Sequence, residues 1–459
     1  MNYSYFQKQK TVSTFKKFTQ LSNLLLLSVF VNFSADAKST QKQVRISSGL
    51  ATPVLAANKT QNAYIRVALT GFEIEPQKYR TPLNVAIVLD QSSSMSGQKI
   101  QQAKQAARIA IEQLDENDII SIITYDSTVN VLVPATKASN KHELFDQLNH
   151  IFARGSTALF AGTSKGGYEV RKFLNKERVN RVVLLSDGIA NIGPSSPSDL
   201  GQLGYAFAKD GISVSTIGLG LGYNEDLMTQ LANYSDGNHT FVENAADLAR
   251  VFEKEFGQAK SIVAQDININ IILNENIKPV RIIGRDGDII GNIITTRMNQ
   301  IYSQQESYVI VEVQVPANKS GAQQAIAKVN VEYDHMVTNK RFDLNDNITA
   351  SFSDSEEKVK KSIDKTVYKS AVRQVANERR NEAVILRDQG QNKAAEAKLT
   401  VSSNFLQRAA EVISSDELHQ ESQGLKEEAT DVSSSSPSDW RKKRKELKER
   451  SYRIEKQQR

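Results

Sequence analysis

The stretch that decides the fold is Asn84-Val85-Ala86-Ile87-Val88-Leu89-Asp90-Gln91-Ser92-Ser93-Ser94. Its apolar residues run without a break from Val85 to Leu89 and stop at an aspartate and three serines. A strand with one wet face alternates in polarity, whereas an unbroken apolar run marks a strand covered on both faces, as in a parallel sheet flanked by helices. The neighbouring sequence repeats the theme. Helical periodicity spans 97–114, then come IISIITYD (119–126) and VNVLV (129–133), and two helical stretches at 141–152 and 158–174. RVVLLSD (181–187), a helix near 198–210, ISVSTIGLG (212–220) and helices at 225–233 and 245–256 complete it. Buried strands alternating with helices predict an α/β domain with a doubly wound, mostly parallel sheet over 81–257.

Outside that unit the patterning changes. Residues 258–353 carry alternating Ile- and Val-rich runs punctuated by Asn274, Gly284, Asp286-Gly287, Gly291 and Pro316, an antiparallel β-sandwich pattern. Two strand-like runs within 43–80 have no partners before the α/β unit begins, so they are expected to join the sandwich, with the α/β domain inserted in it. From Glu356 the chain turns helical. A helical hairpin broken at Gly390 is expected over 356–430, followed over 431–459 by a linker (DVSSSSPS, 431–438) and a basic helical tail. A chain of 459 residues accommodates two or three such units.

The first 37 residues read as an export signal. Lys8, Lys10, Lys16 and Lys17 form a basic region, Leu21 opens a short apolar run that ends at Phe33, and Ala35-Asp36-Ala37 is an A-x-A cleavage pattern. The apolar run falls short of the ~20 residues that span a bilayer, so cleavage after Ala37 is expected rather than an uncleaved anchor. The chain has no cysteine, which excludes disulfides, thiolate metal sites and cysteine catalysis. An exported chain without disulfides suits a bacterial periplasm or exterior. Net charge is +6, yet residues 441–459 alone hold ten basic and three acidic residues, so a mildly acidic body carries a basic tail. That tail is either a solvated helix or a contact for an anionic surface or acidic partner.

The chemistry concentrates at three places. Asp90-Gln91-Ser92-Ser93-Ser94 is a D-x-S-x-S pattern at the end of the first buried strand, Gly155-Ser156-Thr157 opens a helix, and Asp187-Gly188 ends another strand. In an open doubly wound sheet the carboxyl ends of the strands share one rim, where ligands bind. Asp90, Ser92, Ser94, Thr157 and Asp187 are therefore expected to converge as two carboxylates and three hydroxyls. An all-oxygen set suits a hard divalent cation, Mg²⁺ first, with Mn²⁺ or Ca²⁺ also accepted. Five groups leave a position open, and a partner's carboxylate is the natural group to fill it.

In this combination and order the stretch 84–256 resembles a von Willebrand factor type A domain, with D-x-S-x-S, a downstream threonine and a downstream aspartate as its metal-dependent adhesion site. The resemblance implies direct ligation by Ser92, Ser94 and Thr157 and water-mediated contact from Asp90 and Asp187. With the flanking sandwich, it extends over about 43–353 to bacterial secreted proteins of this type and, more loosely, to inter-alpha-trypsin inhibitor heavy chains. It implies a metal-dependent protein-binding protein for adhesion or scaffolding, not an enzyme.

Blander readings stand beside these. Asp90 and Asp187 also fit helix caps, and Ser92 and Ser94 turn formers. Gly218-Leu219-Gly220-Leu221-Gly222 lacks the G-K-[ST] of a phosphate loop and reads as a tight strand-to-helix turn, and the Gly162 to Gly166 segment has its residues in the wrong order for cradling phosphate. The five histidines form no ligand pattern, and Tyr125 and Asp126 read as strand-end residues that cap or pack. A metal-dependent hydrolase needs a second metal or a general base with no candidate in the sequence, and an adaptor for an ATPase machine sits poorly with an export signal. No nucleic-acid partner is expected, because Trp440 and Tyr452 are too few to stack bases.

Overall fold

The computed structural model describes residues 44–74 and 80–457; the signal expected over 1–37 lies outside them. Strands β1 (Val44–Leu50), β2 (Val54–Ala56) and β3 (Gln61–Gly71) come first. The α/β domain follows as β4 (Leu83–Asp90), α1 (Gln98–Glu112), β5 (Ile119–Tyr125), β6 (Val129–Lys137), α2 (Lys141–Asn149), α3 (Leu159–Arg171), β7 (Val179–Ser186), α4 (Pro197–Lys209), β8 (Ile212–Leu219), α5 (Glu225–Tyr234), β9 (His239–Val242) and α6 (Leu248–Ala259). Its sheet runs β6-β5-β4-β7-β8-β9, parallel except for β6.

Every residue of β4, β5, β7 and β8 is buried, because helices cover both faces. Along β4, Val85, Ile87 and Leu89 face a core with Ala103, Ala107, Ile111 and Phe252. Ala86 and Val88 face the opposite core with Val170, Leu200 and Phe207. The glycines between 162 and 166 serve this packing and cradle no phosphate. A Cβ at Gly162 would lie 2.6 Å from the Tyr125 ring, and one at Gly166 2.5 Å from Val88, so α3 seats directly on the sheet. The chain leaves β4 for β5 on one side and β7 lies on the other, so the loops after β4 and β7 part at a topological switch point.

The sandwich follows as β10 (Ile262–Leu273), β11 (Lys278–Ile283), β12 (Gly287–Ile290), β13 (Ile293–Tyr302), β14 (Glu306–Val315), β15 (Gln323–His335) and β16 (Lys340–Ser353). One sheet has the order β1-β3-β14-β11 and the other β12-β13-β10-β15-β16-β2. β3 pairs with β14 from Gln61 opposite Val315 to Thr70 opposite Glu306, so the amino-terminal strands complete the sandwich and the α/β domain is inserted between β3 and β10. Ile65, Val67, Leu69, Ile269, Ile271, Val309, Val311, Val329 and Val331 fill the space between the sheets. A buried arginine joins the two domains: Arg181 on β7 donates to Glu255 (2.5 Å), to Gln300 (2.6 Å) and to the Tyr302 hydroxyl (2.9 Å).

The carboxyl-terminal region departs from the expected hairpin and linker. It comprises α7 (Glu356–Lys361), α8 (Lys365–Asp388), α9 (Asn392–Ile413), α10 (Asp416–Ser434) and α11 (Pro437–Glu455). Asp364 ends the first helical stretch by capping the backbone N–H groups of Thr366 and Val367. The serine-rich segment expected as a linker instead continues α10 to Ser434, because Ala429 and Val432 are buried in the helical core and packing overrides weak helix propensity. The break is confined to Ser435 and Ser436, where Ser436 caps α11 ahead of Pro437.

The basic tail, expected either as a solvated helix or as a contact for an anionic surface or acidic partner, is docked on the rest of the chain through α11. Seven of its ten basic residues, Lys442, Lys443, Arg444, Lys445, Lys448, Arg450 and Lys456, form ion pairs within the chain. Arg444 and Lys445 pair with Glu225 at the start of α5, Lys448 pairs with Asp226, and Lys456 pairs with Asp236. Tyr452 donates to the Gly237 carbonyl at 2.6 Å. The acidic body supplies the tail's counter-charges. Among the described residues no helix is long and apolar enough to cross a membrane.

Candidate metal centre

All five sequence-predicted residues meet beyond the ends of β4 and β7. The pairing register sets Leu89 opposite Leu185, so Asp90 lies beside Ser186 and Asp187 follows one step beyond the ladder. Asp90 Oδ2 accepts the Ser186 hydroxyl at 2.7 Å, and Asp90 Oδ1 accepts the Ser92 backbone N–H at 2.8 Å. That second bond bends the chain after β4 into the short 3₁₀ turn Ser93–Met95. The Ser92 and Ser94 hydroxyls lie 3.0 Å apart, and Ser94 donates to Asp187 Oδ1 at 2.6 Å. Thr157 enters from the loop before α3. A Cβ placed on Gly188 would lie 3.1 Å from Thr157 Oγ1 and 3.3 Å from Ser94 Oγ, so both hydroxyls face one point. A side chain there would press on both hydroxyls.

The electrostatics favour a cation. Asp90 and Asp187 are both essentially buried, at 0 % and 1 % exposure. Among the described residues Asp90 has hydrogen bonds but no ion pair, and burial followed by the neighbouring Asp187 charge outweighs those bonds and pushes its carboxyl above the ordinary range. Thr157 is 4 % exposed, and among the described residues its hydroxyl makes no hydrogen bond. An uncompensated buried carboxylate and an unengaged hydroxyl, with two serine hydroxyls between them, fit a hard divalent ion. Among the described residues no group of three or more His, Cys, Asp or Glu is placed to hold a metal, so hydroxyl oxygens carry this set.

The supporting residues were not legible in the sequence. Lys99, in the first turn of α1, pairs with Asp187 and reaches the Ser94 carbonyl at 3.3 Å. Asp126 accepts Gln91 Nε2 at 2.7 Å, Arg154 Nε at 2.8 Å and Thr128 N–H at 2.8 Å, tying together the loops that carry Ser92 and Thr157. Burial pushes its carboxyl up, but Arg154 and the other donors prevail and hold it at about 2. Asn191 accepts the Thr157 backbone N–H at 2.9 Å. Tyr125 is fully buried and donates to the Leu185 carbonyl at 3.1 Å, a packing role as its sequence suggests. The turn after β8 presses on the centre from the far side. Gly220 has φ +69°, and a Cβ on Gly222 would lie 2.6 Å from the Asp187 carbonyl.

A parallel sheet whose switch point gathers these five oxygen donors defines a class of protein domain. Residues 84–254 match the family model of the von Willebrand factor type A domain, and the chain carries such a domain inserted in a sandwich. Domains of this class typically bind a divalent metal and commonly mediate metal-dependent contacts between proteins.

The protein sll0103 of Synechocystis is 25% identical over 289 residues, 61% of this chain and 68% of that one. YfbK of Escherichia coli is 28% identical over 193 residues, 42% of this chain and 34% of its own. The human inter-alpha-trypsin inhibitor heavy chain H3 is 27% identical over 178 residues, 36% of this chain and 20% of its own. The chain thus spans about a third of YfbK and a fifth of heavy chain H3. Among solved structures, a von Willebrand factor type A protein from Catenulispora acidiphila superposes with TM-score 0.67 at 14% identity, over 80% of this chain and 87% of that one. The ArnB paralog VWA2 from Sulfolobus acidocaldarius gives TM-score 0.57 at 18% identity, over 85% and 97%. At such identities these likenesses bear on fold alone.

Proposed function

We propose that the chain is an exported protein-binding module in which Ser92, Ser94 and Thr157 ligate Mg²⁺ directly and Asp90 and Asp187 hold it through water. The bound ion supplies a Lewis-acidic position that a carboxylate of a protein partner fills. Asp90 anchors the serine turn and balances charge, Asp187 receives the Ser94 hydroxyl, and Gly188 keeps the space before Thr157 clear. The observation that carries this reading is the buried Asp90 carboxylate without an ion-pair partner among the described residues, one serine turn away from three converging hydroxyls. Mn²⁺ or Ca²⁺ fits the same oxygens. Binding rather than catalysis is the role, in adhesion or scaffolding, and the export signal expected over 1–37 supports a place in a bacterial periplasm or at the cell exterior.

Mn²⁺ offers a direct test through water-proton relaxation of metal-stripped protein. Binding should raise the relaxation rate, acetate should lower it again by displacing an exchangeable water, and Asp90→Ala should abolish the signal. Relaxation unaffected by acetate, or retained in Asp90→Ala, would contradict the proposal.

A further inference from the structure

The loops around the candidate centre carry apolar side chains that the fold itself does not use. Ile189 is 62 % exposed, although it follows Gly188, which faces the Thr157 and Ser94 hydroxyls, and lies two residues before Asn191, whose side chain holds the Thr157 backbone. Leu221 is 38 % exposed between Gly220, whose Cβ would lie 4.0 Å from Lys99 Nζ, and Gly222, which abuts the Asp187 carbonyl. Consecutive Cα atoms are about 3.8 Å apart, so each aliphatic side chain springs from a residue adjacent to the centre. They come from two different loops, after β7 and after β8, and Asp187 lies against both. Single exposed aliphatics are ordinary, but two on neighbouring loops, each next to a residue in contact with one charged centre, form a patterned rim.

Charge completes the pattern. A divalent ion balances Asp90 and Asp187, Arg154 is matched by Asp126, and the Lys99 ammonium, 38 % exposed, remains over. The rim so loaded has an excess of one positive charge, which a single carboxylate neutralises. Building on the metal reading above, we propose that the centre selects an acidic side chain set directly beside aliphatic residues in the partner, with Ile189 and Leu221 as the specificity-determining contacts and Lys99 as the second cation facing the carboxylate. Fully polar acidic segments lack a counterpart for the two aliphatics, and apolar segments without the acid lack one for the charge.

The test uses biotinylated synthetic peptides on a biosensor surface and the full chain in solution, with Mg²⁺ or with EDTA. The sequences present a central Leu-Asp-Leu, Ser-Asp-Ser or Leu-Asn-Leu. Leu-Asp-Leu should bind at least about tenfold tighter than either of the others, and only with Mg²⁺. The double variant Ile189→Ser/Leu221→Ser should bring that preference over Ser-Asp-Ser below about threefold. Equal binding of the two acidic peptides, a preference that survives the double variant, or no binding of any peptide would overturn the inference. Failure of the underlying metal reading looks different: acidic peptides would then bind without regard to Mg²⁺, or Leu-Asn-Leu would bind as well as Leu-Asp-Leu.

Discussion

Replacing Lys445 with methionine should destabilise the protein by about 2–3 kcal/mol at neutral pH. The Lys445 side chain is 2 % exposed, donates to the Tyr223 carbonyl at 2.6 Å and pairs with Glu225, itself 7 % exposed. Methionine keeps the apolar stem and removes only the ammonium. Breaking a buried pair so that one charge is stranded costs about 3–5 kcal/mol. Here Arg444 remains on Glu225, so the charge is only partly stranded, and loss of a charged hydrogen bond (about 1.5–3 kcal/mol) dominates. Urea unfolding followed by circular dichroism measures the difference. A pH series adds a signature. Burial pushes the Glu225 carboxyl up, but Lys445 and Arg444 outweigh it and hold it below its ordinary value of 4.5. A carboxylate with a depressed folded pKa contributes fully above its unfolded value and loses that contribution as pH falls through the folded one. The gap between wild type and Lys445→Met should therefore narrow below about pH 4. A variant within about 0.5 kcal/mol of wild type, with a gap indifferent to pH, would refute the docked-tail geometry.

Other perturbations separate the parts of the site. Gly188→Val places atoms against the Thr157 and Ser94 hydroxyls and should weaken Mg²⁺ binding at least about tenfold, with little change in thermal unfolding, as titration calorimetry beside a melt would show. Lys99→Met removes a positive charge from Asp187 and should tighten Mg²⁺ about tenfold in the same calorimeter; unchanged or weaker binding would contradict this charge argument. His239 is 1 % exposed, and burial depresses its pKa to about 3. The unfolded chain therefore takes up a proton there that the folded one refuses, and stability should fall by up to about 1.4 kcal/mol per pH unit between pH 6.5 and 3, a slope that His239→Gln should flatten in acid unfolding curves.

The α/β fold was legible because burial on both faces leaves an unambiguous mark: unbroken apolar runs such as 85–89 and 182–185, each followed within two residues by an aspartate. The five candidate ligands were legible because strand ends in such a sheet share a rim, and chain order told which strand ends carried oxygen donors. The residues that hold them were not. Lys99, Gln91, Arg154 and Asn191 look like ordinary polar residues of helix or loop, and only three-dimensional proximity reveals their bonds to Asp187, Asp126 and Thr157. The tail misled for a related reason. Its charge was plain, but its partners Glu225, Asp226 and Asp236 lie more than two hundred residues away. Likewise the serines before Pro437 have turn-forming chemistry, and burial of Val432 overrides it.

The most direct test of the metal centre is calorimetric titration of Mg²⁺ into metal-stripped protein, beside Asp90→Ala and Thr157→Ala variants shown by circular dichroism to remain folded. Saturable binding to one site, lost in both variants, is the expected result. Absence of binding to the unmutated protein, or binding that persists in either variant, would contradict a cation held by Asp90, Ser92, Ser94, Thr157 and Asp187.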